Sequence, residues 1–146
     1  MTATEPINET ARLAEAGPTV LYIEDALASI HLIRGILKRV QLPAGAAVRL
    51  MSAIQGNLGL EMARTHAPDL ILLDLHLPDI SGLEVLNQLK ADARTASIPV
   101  VVLTADPVPG TQRQVCDAGA LGCVSKPVDI PQFLETVSHI LNETIV

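Results

Sequence analysis

The sequence predicts an α/β fold in which a parallel sheet lies between layers of helices. Short apolar runs, typical of strands covered on both faces, alternate with segments whose apolar residues recur every three or four positions. Five such strand-helix units follow one another. The connections between them are short, which favours parallel strands joined by right-handed crossovers.

Length and composition restrict the class of protein. The chain has 146 residues, the size of one domain with a single core. We expect residues 1–18, which are polar and acid-leaning, to form a tail or linker with a short helix from about Glu9 to Ala16. Residues 19–146 would form the domain. The N-terminus has acids and no apolar core, so we expect no signal peptide.

Charge and hydropathy exclude further classes. Ten basic residues against 16 acidic ones, without a basic block and with few aromatic residues, argue against direct binding of nucleic acid. The apolar runs are far shorter than the roughly 18 residues that span a bilayer, so we expect no membrane partner and a cytoplasmic location. Cys116 and Cys123 lack the spacing of a metal or redox pair, which indicates reduced, buried and inert thiols.

The first two units are a buried strand with a helix and an edge strand with a helix. TVLYI at residues 19–23 predicts the first strand, and Glu24 and Asp25 follow its end. A helix is predicted from Ala26 to Val40. Its expected buried face consists of Leu27, Ile30, Ile33, Leu37 and Val40. Alternation over residues 48–53 indicates a strand partly exposed at a sheet edge, and a helix follows from about Asn57 to His66.

The third unit contains a buried strand that ends in a carboxylate. Residues 70–82 read LILLDLHLPDISG, an apolar run with one acid followed by a turn. Asp74 therefore lies near the carboxyl end of this strand, the edge at which open α/β sheets bind ligands. Ser81 and Glu84 have the spacing of a capping box and predict a helix to about Ala91. Its sheet-facing residues would be Leu83, Leu86 and Leu89.

The last two units complete the predicted sheet. Residues 99–105 form a buried strand with Thr104 near its end, and a weaker helix runs from the Pro107 and Pro109 loop to near Gly119. The short strand GCVS leads to Lys126 and Pro127. The final helix would be capped by Asp129-Ile-Pro-Gln132 and would bury Phe133, Val137, Ile140 and Leu141.

Polar side chains follow four strands at one edge of this sheet. They are Glu24, Asp25, Asp74, Thr104 and Lys126. Carboxylates held close together repel one another unless a divalent cation or a lysine compensates, and oxygen ligands of this kind suit Mg²⁺. An aspartate beside Mg²⁺ is a competent nucleophile toward phosphorus. We therefore expect Lys126 to neutralise one phosphoryl oxygen and the Thr104 hydroxyl to donate a hydrogen bond to another.

These residues resemble the signature of the response-regulator receiver domain. The matching motifs are Glu24-Asp25, DLHLPDISG beginning at Asp74, Thr104-Ala105 and Lys126-Pro127. The resemblance covers about residues 19–143, with the motifs in the family's order and spacing. It implies a flavodoxin-like, doubly wound parallel sheet of five strands in the order 2-1-3-4-5, with five helices.

The resemblance also implies a function as phosphoacceptor in a two-component phosphorelay. Asp74 would accept a phosphoryl group from the phosphohistidine of a histidine kinase or a phosphotransfer protein. Glu24, Asp25, Asp74 and the backbone carbonyl of His76 would hold Mg²⁺. Thr104 and Lys126 would contact the phosphoryl group, and the Lys126-Pro127 bond would be cis. The chain would catalyse only its own phosphoryl transfer and autodephosphorylation.

Phosphorylation would shift a two-state face around the fourth helix and the fifth strand, to which an unidentified downstream protein would bind. A homodimer through that face is compatible with the sequence.

A few residues remain after the last helix, so we expect no output domain, and both a stand-alone receiver and a segment of a hybrid histidine kinase remain open. Cys123 stands where most receivers have Tyr or Phe, so an aromatic switch coupled to Thr104 is not predicted. His76 and Asp106 would set the lifetime of the phosphorylated state, since both could reach an attacking water.

Two other function classes compete with this interpretation. A phosphatase of the haloacid dehalogenase type needs Asp-x-Asp after its first strand, whereas Asp74 is followed by Leu75 and His76. A module that binds a partner without being phosphorylated is opposed by the complete set of acids, threonine and lysine, but Cys123 leaves this alternative open. Nucleotide cofactors fit poorly, because the chain lacks both glycine-rich phosphate-binding patterns.

Overall fold

The computed structural model describes residues 17–105 and 108–144, in which five strands and five α-helices alternate. The strands are β1 (Thr19–Ile23), β2 (Arg49–Ala53), β3 (Leu70–Asp74), β4 (Val100–Thr104) and β5 (Gly122–Ser125). The helices are α1 (Leu27–Leu37), α2 (Gly56–His66), α3 (Gly82–Ala91), α4 (Thr111–Asp117) and α5 (Ile130–Thr144). The candidate helix from Glu9 to Ala16 lies outside the described residues. Among the helices described, none has the length and apolar composition needed to cross a bilayer.

All five strands are parallel and lie in the order β2-β1-β3-β4-β5, so the predicted flavodoxin-like sheet is confirmed. Strand β3 is central, and Leu72 pairs with Tyr22 on one side and with Val101 on the other. Strand β2 is an edge strand that is largely half-buried, as the alternating pattern predicts. The carboxyl ends of β1, β3 and β4 therefore lie side by side.

The sheet has an apolar core on each face. One contains Leu70 and Leu72 of β3 together with residues of α1 and α5, and the other contains Ile71 and Leu73 together with residues of α2, α3 and α4. Successive side chains of a strand point to opposite faces, so a strand covered on both sides must be apolar at every position. Each buried Leu or Ile contributes about 1.5–3 kcal/mol relative to an exposed one.

Helix α1 is shorter than predicted and its buried face differs. It ends at Leu37, although Val40 beyond it is still buried. The prediction that Leu27 faces the core is wrong, because this side chain is 67% exposed. Leu27 is the first helical residue, above the carboxyl edge of the sheet, where no sheet surface lies opposite it. Ile36 is buried instead.

The predicted helix starts at α3 and α5 are confirmed. The Ser81 hydroxyl accepts a hydrogen bond from the backbone N–H of Glu84 at 3.1 Å, and the Asp129 carboxylate accepts one from the N–H of Gln132 at 3.2 Å. The four apolar residues assigned to the core face of α5 are all buried. In α3 the pattern missed Val85, which is fully buried, whereas Leu83 is half-buried.

Candidate functional site

Three carboxylates meet at the carboxyl edge of the sheet. Glu24 and Asp25 follow β1, and Asp74 is the last residue of the adjacent strand β3. One oxygen atom from each of the three lies within 4.8 Å of the others. Glu24 is 1% and Asp74 7% exposed, whereas Asp25 is open to solvent. The register that pairs Ile23 with Leu73 brings these side chains together.

Lys126 follows β5, an edge strand of the sheet, and its side chain reaches the same group of acids. Its backbone N–H donates to the carbonyl oxygen of Thr104 at 2.8 Å, which places the lysine directly after β5. Its Nζ atom forms an ion pair with Oε1 of Glu24. The Lys126-Pro127 peptide bond is cis, as the resemblance implies. The structure thus brings the lysine to the acidic site, and its partner there is Glu24.

Thr104 ends β4, the strand that lies next to β3. It is buried and pairs in register with Ser125, while Asp74 pairs with the preceding residue, Leu103. Thr104 therefore lies one position beyond Asp74 along the sheet. Its carbonyl bond to Lys126 connects the ends of β4 and β5 at this edge.

The pKa values of the two inner carboxyl groups, Glu24 and Asp74, are shifted in opposite directions. Burial raises the pKa of Asp74 to about 6, helped by the neighbouring Glu24 and opposed by Lys126 and the backbone N–H of His76. Burial also acts to raise the pKa of Glu24, but hydrogen bonds from Lys126 and Asp74 outweigh it and leave that pKa below its usual value. Glu24 is therefore the compensated anion, and the charge of Asp74 is the one that the metal-free fold disfavours.

The loop after β3 is fixed by hydrogen bonds that sequence reasoning did not assign. Both carboxylate oxygens of Asp79 accept backbone N–H groups at the start of α2, from Gly56 at 2.7 Å and Asn57 at 2.8 Å. These bonds hold the pKa of Asp79 below its usual value. The pattern around Asp79 indicated only a turn, because a cap supplied by another loop leaves no local signal. Through Asp79, the loop that carries His76 is tied to a neighbouring helix.

Tyr22 is a second residue that the pattern did not single out. Its hydroxyl, buried beneath the acids, donates to Oε1 of Glu24 at 3.1 Å. Burial and the nearby Glu24 raise the pKa of Tyr22, so the hydroxyl keeps its proton. A tyrosine within an apolar run suits a core strand, and only its alternation with Glu24 along β1 hinted at a shared face.

The other residues singled out in the sequence differ in their exposure. His76 is exposed on the loop after β3, and Asp106 lies outside the described residues. Cys123 is half-buried against the core on the α4 side, and burial raises the pKa of its thiol. The prediction that both thiols are buried is wrong for Cys116, which lies on the exposed side of α4 next to the buried Val115.

Comparison with known proteins places the chain in a family. The response regulator receiver domain matches residues 20–138. The polar-differentiation response regulator DivK of Brucella ovis is 34% identical over 125 residues, covering 86% of this chain and 97% of DivK. The phosphorylated cyanobacterial phytochrome response regulator RcpA aligns with a TM-score of 0.69 at 29% identity, covering 86% of this chain and 91% of that one.

A third similarity supports the fold alone. The receiver domain of sensor histidine kinase PA1611 from Pseudomonas aeruginosa aligns with a TM-score of 0.74 at 21% identity, covering 86% of this chain and 98% of that one. Its fold matches the five-stranded sheet described above. The family match and the similarity to DivK show that the chain belongs to the receiver domain family of two-component response regulators.

Proposed function

We propose that this receiver is a phosphoacceptor in a phosphorelay, and that Asp74 takes a phosphoryl group from the phosphohistidine of a histidine kinase or phosphotransfer protein. The supporting observation is the meeting of Asp74, at the end of the central strand, with Glu24, Asp25 and the Lys126 ion pair. A nucleophilic carboxylate beside further acids and one lysine is an arrangement suited to phosphoryl transfer. A cytoplasmic location is part of this proposal.

The acidic site fits a divalent cation. Three carboxylate oxygens within 4.8 Å of one another, two of them from buried side chains, are hard ligands of the kind that Mg²⁺ prefers. We propose that Glu24, Asp25, Asp74 and the backbone carbonyl of His76 hold Mg²⁺. When bound, Mg²⁺ orients the phosphoryl group and offsets negative charge in the transition state. A magnesium ion is coordinated in the active-site cleft of the PA1611 receiver.

Asp74, Lys126 and Thr104 have separate roles in the phosphoryl transfer. A carboxylate oxygen of Asp74 attacks phosphorus, an O–P bond forms, and the P–N bond to the donor imidazole breaks with its electron pair returning to the ring. The raised pKa of Asp74, about 6, makes it a better nucleophile than an ordinary aspartate while leaving most of it ionised at pH 7. Lys126 would move from Glu24 to a phosphoryl oxygen, and the Thr104 hydroxyl would donate to another.

The same movements connect the site to a partner surface. The backbone N–H of Lys126 donates to the carbonyl oxygen of Thr104, so a backbone shift at either residue would act on β5 and on α4, which packs beside it. We propose that a downstream protein recognises this change. His76 and Asp106 would influence how fast water removes the phosphoryl group, and the chain would turn over no external substrate.

Acetyl phosphate provides the direct test. Incubation with and without Mg²⁺, followed by intact mass measurement, should show a metal-dependent gain of one phosphoryl group by the parent. Asp74→Asn should show none, because an amide is a poor nucleophile toward phosphorus. Asp69→Asn is the matched control, since Asp69 directly precedes the opposite end of the same strand, and this variant should show the same gain as the parent. Equal labelling of Asp74→Asn and the parent would refute the assignment of Asp74.

The competing functions predict other outcomes of this experiment. Repeated turnover of p-nitrophenyl phosphate would indicate a phosphatase acting on external esters. No phosphoryl gain by the parent at saturating Mg²⁺ and acetyl phosphate would favour a module that binds its partner unphosphorylated. The proposed function requires a gain that stops at one group per chain.

A further inference from the structure

The carboxylate of Glu24 is held at both of its oxygens. Oε1 accepts a hydrogen bond from the Tyr22 hydroxyl at 3.1 Å and forms the ion pair with Lys126. Oε2 accepts the backbone N–H of Asp25 at 3.1 Å. Glu24 is 1% exposed, so water does not supply these contacts. The orientation of this carboxylate is therefore set by protein groups, and Tyr22 is one of them.

The tyrosine ring is itself fixed. Tyr22 lies two residues before Glu24 and on the same face of β1, where it is fully buried in the core beneath α1 and α5. Its hydroxyl borders a cavity of about 320 Å³ whose wall includes Ser29, Leu32 and Lys126. Packing of the ring in the core and the hydrogen bond to Glu24 therefore fix the position of the Tyr22 hydroxyl.

An aliphatic residue at this position would supply the same burial without a polar atom. A buried tyrosine hydroxyl requires a partner, and here the partner is a carboxylate of the candidate metal site. A fixed donor removes rotational freedom from that carboxylate before any cation arrives. Preorganised ligands bind more tightly than ligands that must be ordered on binding.

We propose that Tyr22 is a positioning residue of the phosphoacceptor site: its hydroxyl orients the Glu24 carboxylate toward Lys126 and preorganises it for a divalent cation. The inference rests on the proposed function, because it assigns Tyr22 a role toward the same site. Hydrogen-bond partners of metal-ligating side chains commonly contribute a factor of about ten or more to metal affinity. Removal of the hydroxyl alone should therefore weaken binding of Mg²⁺.

Calorimetric titration with Mg²⁺ tests this on the parent and on Tyr22→Phe, which keeps the ring and removes one oxygen. The Kd should rise about ten-fold in the variant. Leu32→Ala is the matched control, because Leu32 lines the same cavity, has no polar side-chain atom and is already 46% exposed. Its Kd should equal that of the parent. An unchanged Kd in Tyr22→Phe, with unchanged far-ultraviolet circular dichroism, would overturn the role of Tyr22.

Tyrosine fluorescence supplies a second readout that needs no variant of the core. The chain has one tyrosine and no tryptophan, so its emission reports on Tyr22 alone. A carboxylate acceptor quenches tyrosine emission, and a cation on Glu24 weakens that acceptor. Titration of the parent with Mg²⁺ should change the tyrosine emission, and the Kd obtained from that change should equal the calorimetric Kd. Constant emission up to saturation would overturn the inference. A parent that binds no Mg²⁺ by calorimetry would overturn the proposed function as well.

Discussion

Asp74→Asn is expected to make the metal-free chain more stable than the parent at pH 7. The fold raises the pKa of Asp74 from 3.8 to about 6, chiefly by burial, so ionisation of this carboxyl group opposes folding. A shift of this size corresponds to up to about 3 kcal/mol at pH 7. The neutral amide avoids the whole of this cost. Thermal unfolding in the presence of a chelator measures the difference.

The pH dependence distinguishes this cause from a change in packing. Between the unfolded and folded pKa values, 3.8 and about 6, the folded state of the parent binds more protons than the unfolded state. The contribution of Asp74 to stability therefore falls as pH rises through this window and is constant above it. The advantage of Asp74→Asn should be small at pH 4 and reach its full size by pH 7. An advantage of the same size at both pH values would contradict the electrostatic explanation.

Two comparisons control this result. Asp69→Asn removes a charge from the other end of β3, where the carboxylate accepts the backbone N–H of Thr19 at 2.8 Å, and should give no stabilisation. Mg²⁺ should stabilise the parent more than Asp74→Asn, because a ligand stabilises the folded state more when that state binds it more tightly. The gap between the two proteins should therefore shrink as Mg²⁺ is added.

Gly82→Ala is expected to be strongly destabilising. A Cβ atom at this position would lie 2.2 Å from the carbonyl oxygen of Asp74 and 2.5 Å from Cα of Leu75. Both are backbone atoms, so no side-chain rotation relieves the overlap, and the start of α3 must separate from the end of β3. The Gly82 N–H bond to the carbonyl of Leu75, 2.9 Å long, would be strained as well. We expect a loss of about 3 kcal/mol, measured by urea unfolding.

Gly35→Ala is the matched control for this prediction. Gly35 lies inside α1 with an exposed surface, and a Cβ atom there would meet nothing within 4 Å. The same chemical change should stabilise the chain by about 1 kcal/mol, because alanine favours the helix over glycine. If Gly82→Ala did not lower the free energy of unfolding relative to Gly35→Ala, the close approach between α3 and β3 would be disproved. Because Gly82→Ala would displace the carbonyl of Asp74, this variant should also be labelled more slowly by acetyl phosphate.

Much of the architecture could be predicted because it depends on local periodicity. Residues 20–23, 70–73 and 100–103 of β1, β3 and β4 are continuously hydrophobic, which a strand covered on both faces requires. Caps at Ser81 and Asp129 were predictable, because the backbone N–H groups that donate to these side chains lie only three residues further along the chain. Leu27 was misassigned because periodicity shows which residues share a helix face, but not how far the opposing sheet extends.

By itself, the sequence determined the alternating elements and the presence of Glu24, Asp25, Asp74, Thr104 and Lys126 at strand ends. Only the tertiary structure decided that Lys126 pairs with Glu24, 102 positions away, and that Tyr22 donates to the same oxygen. It also decided that the pKa of Asp74 rises while that of Glu24 falls. The physical reason is that local patterns arise from neighbouring residues. Desolvation and charge pairing depend on distances between groups that only the folded chain brings together.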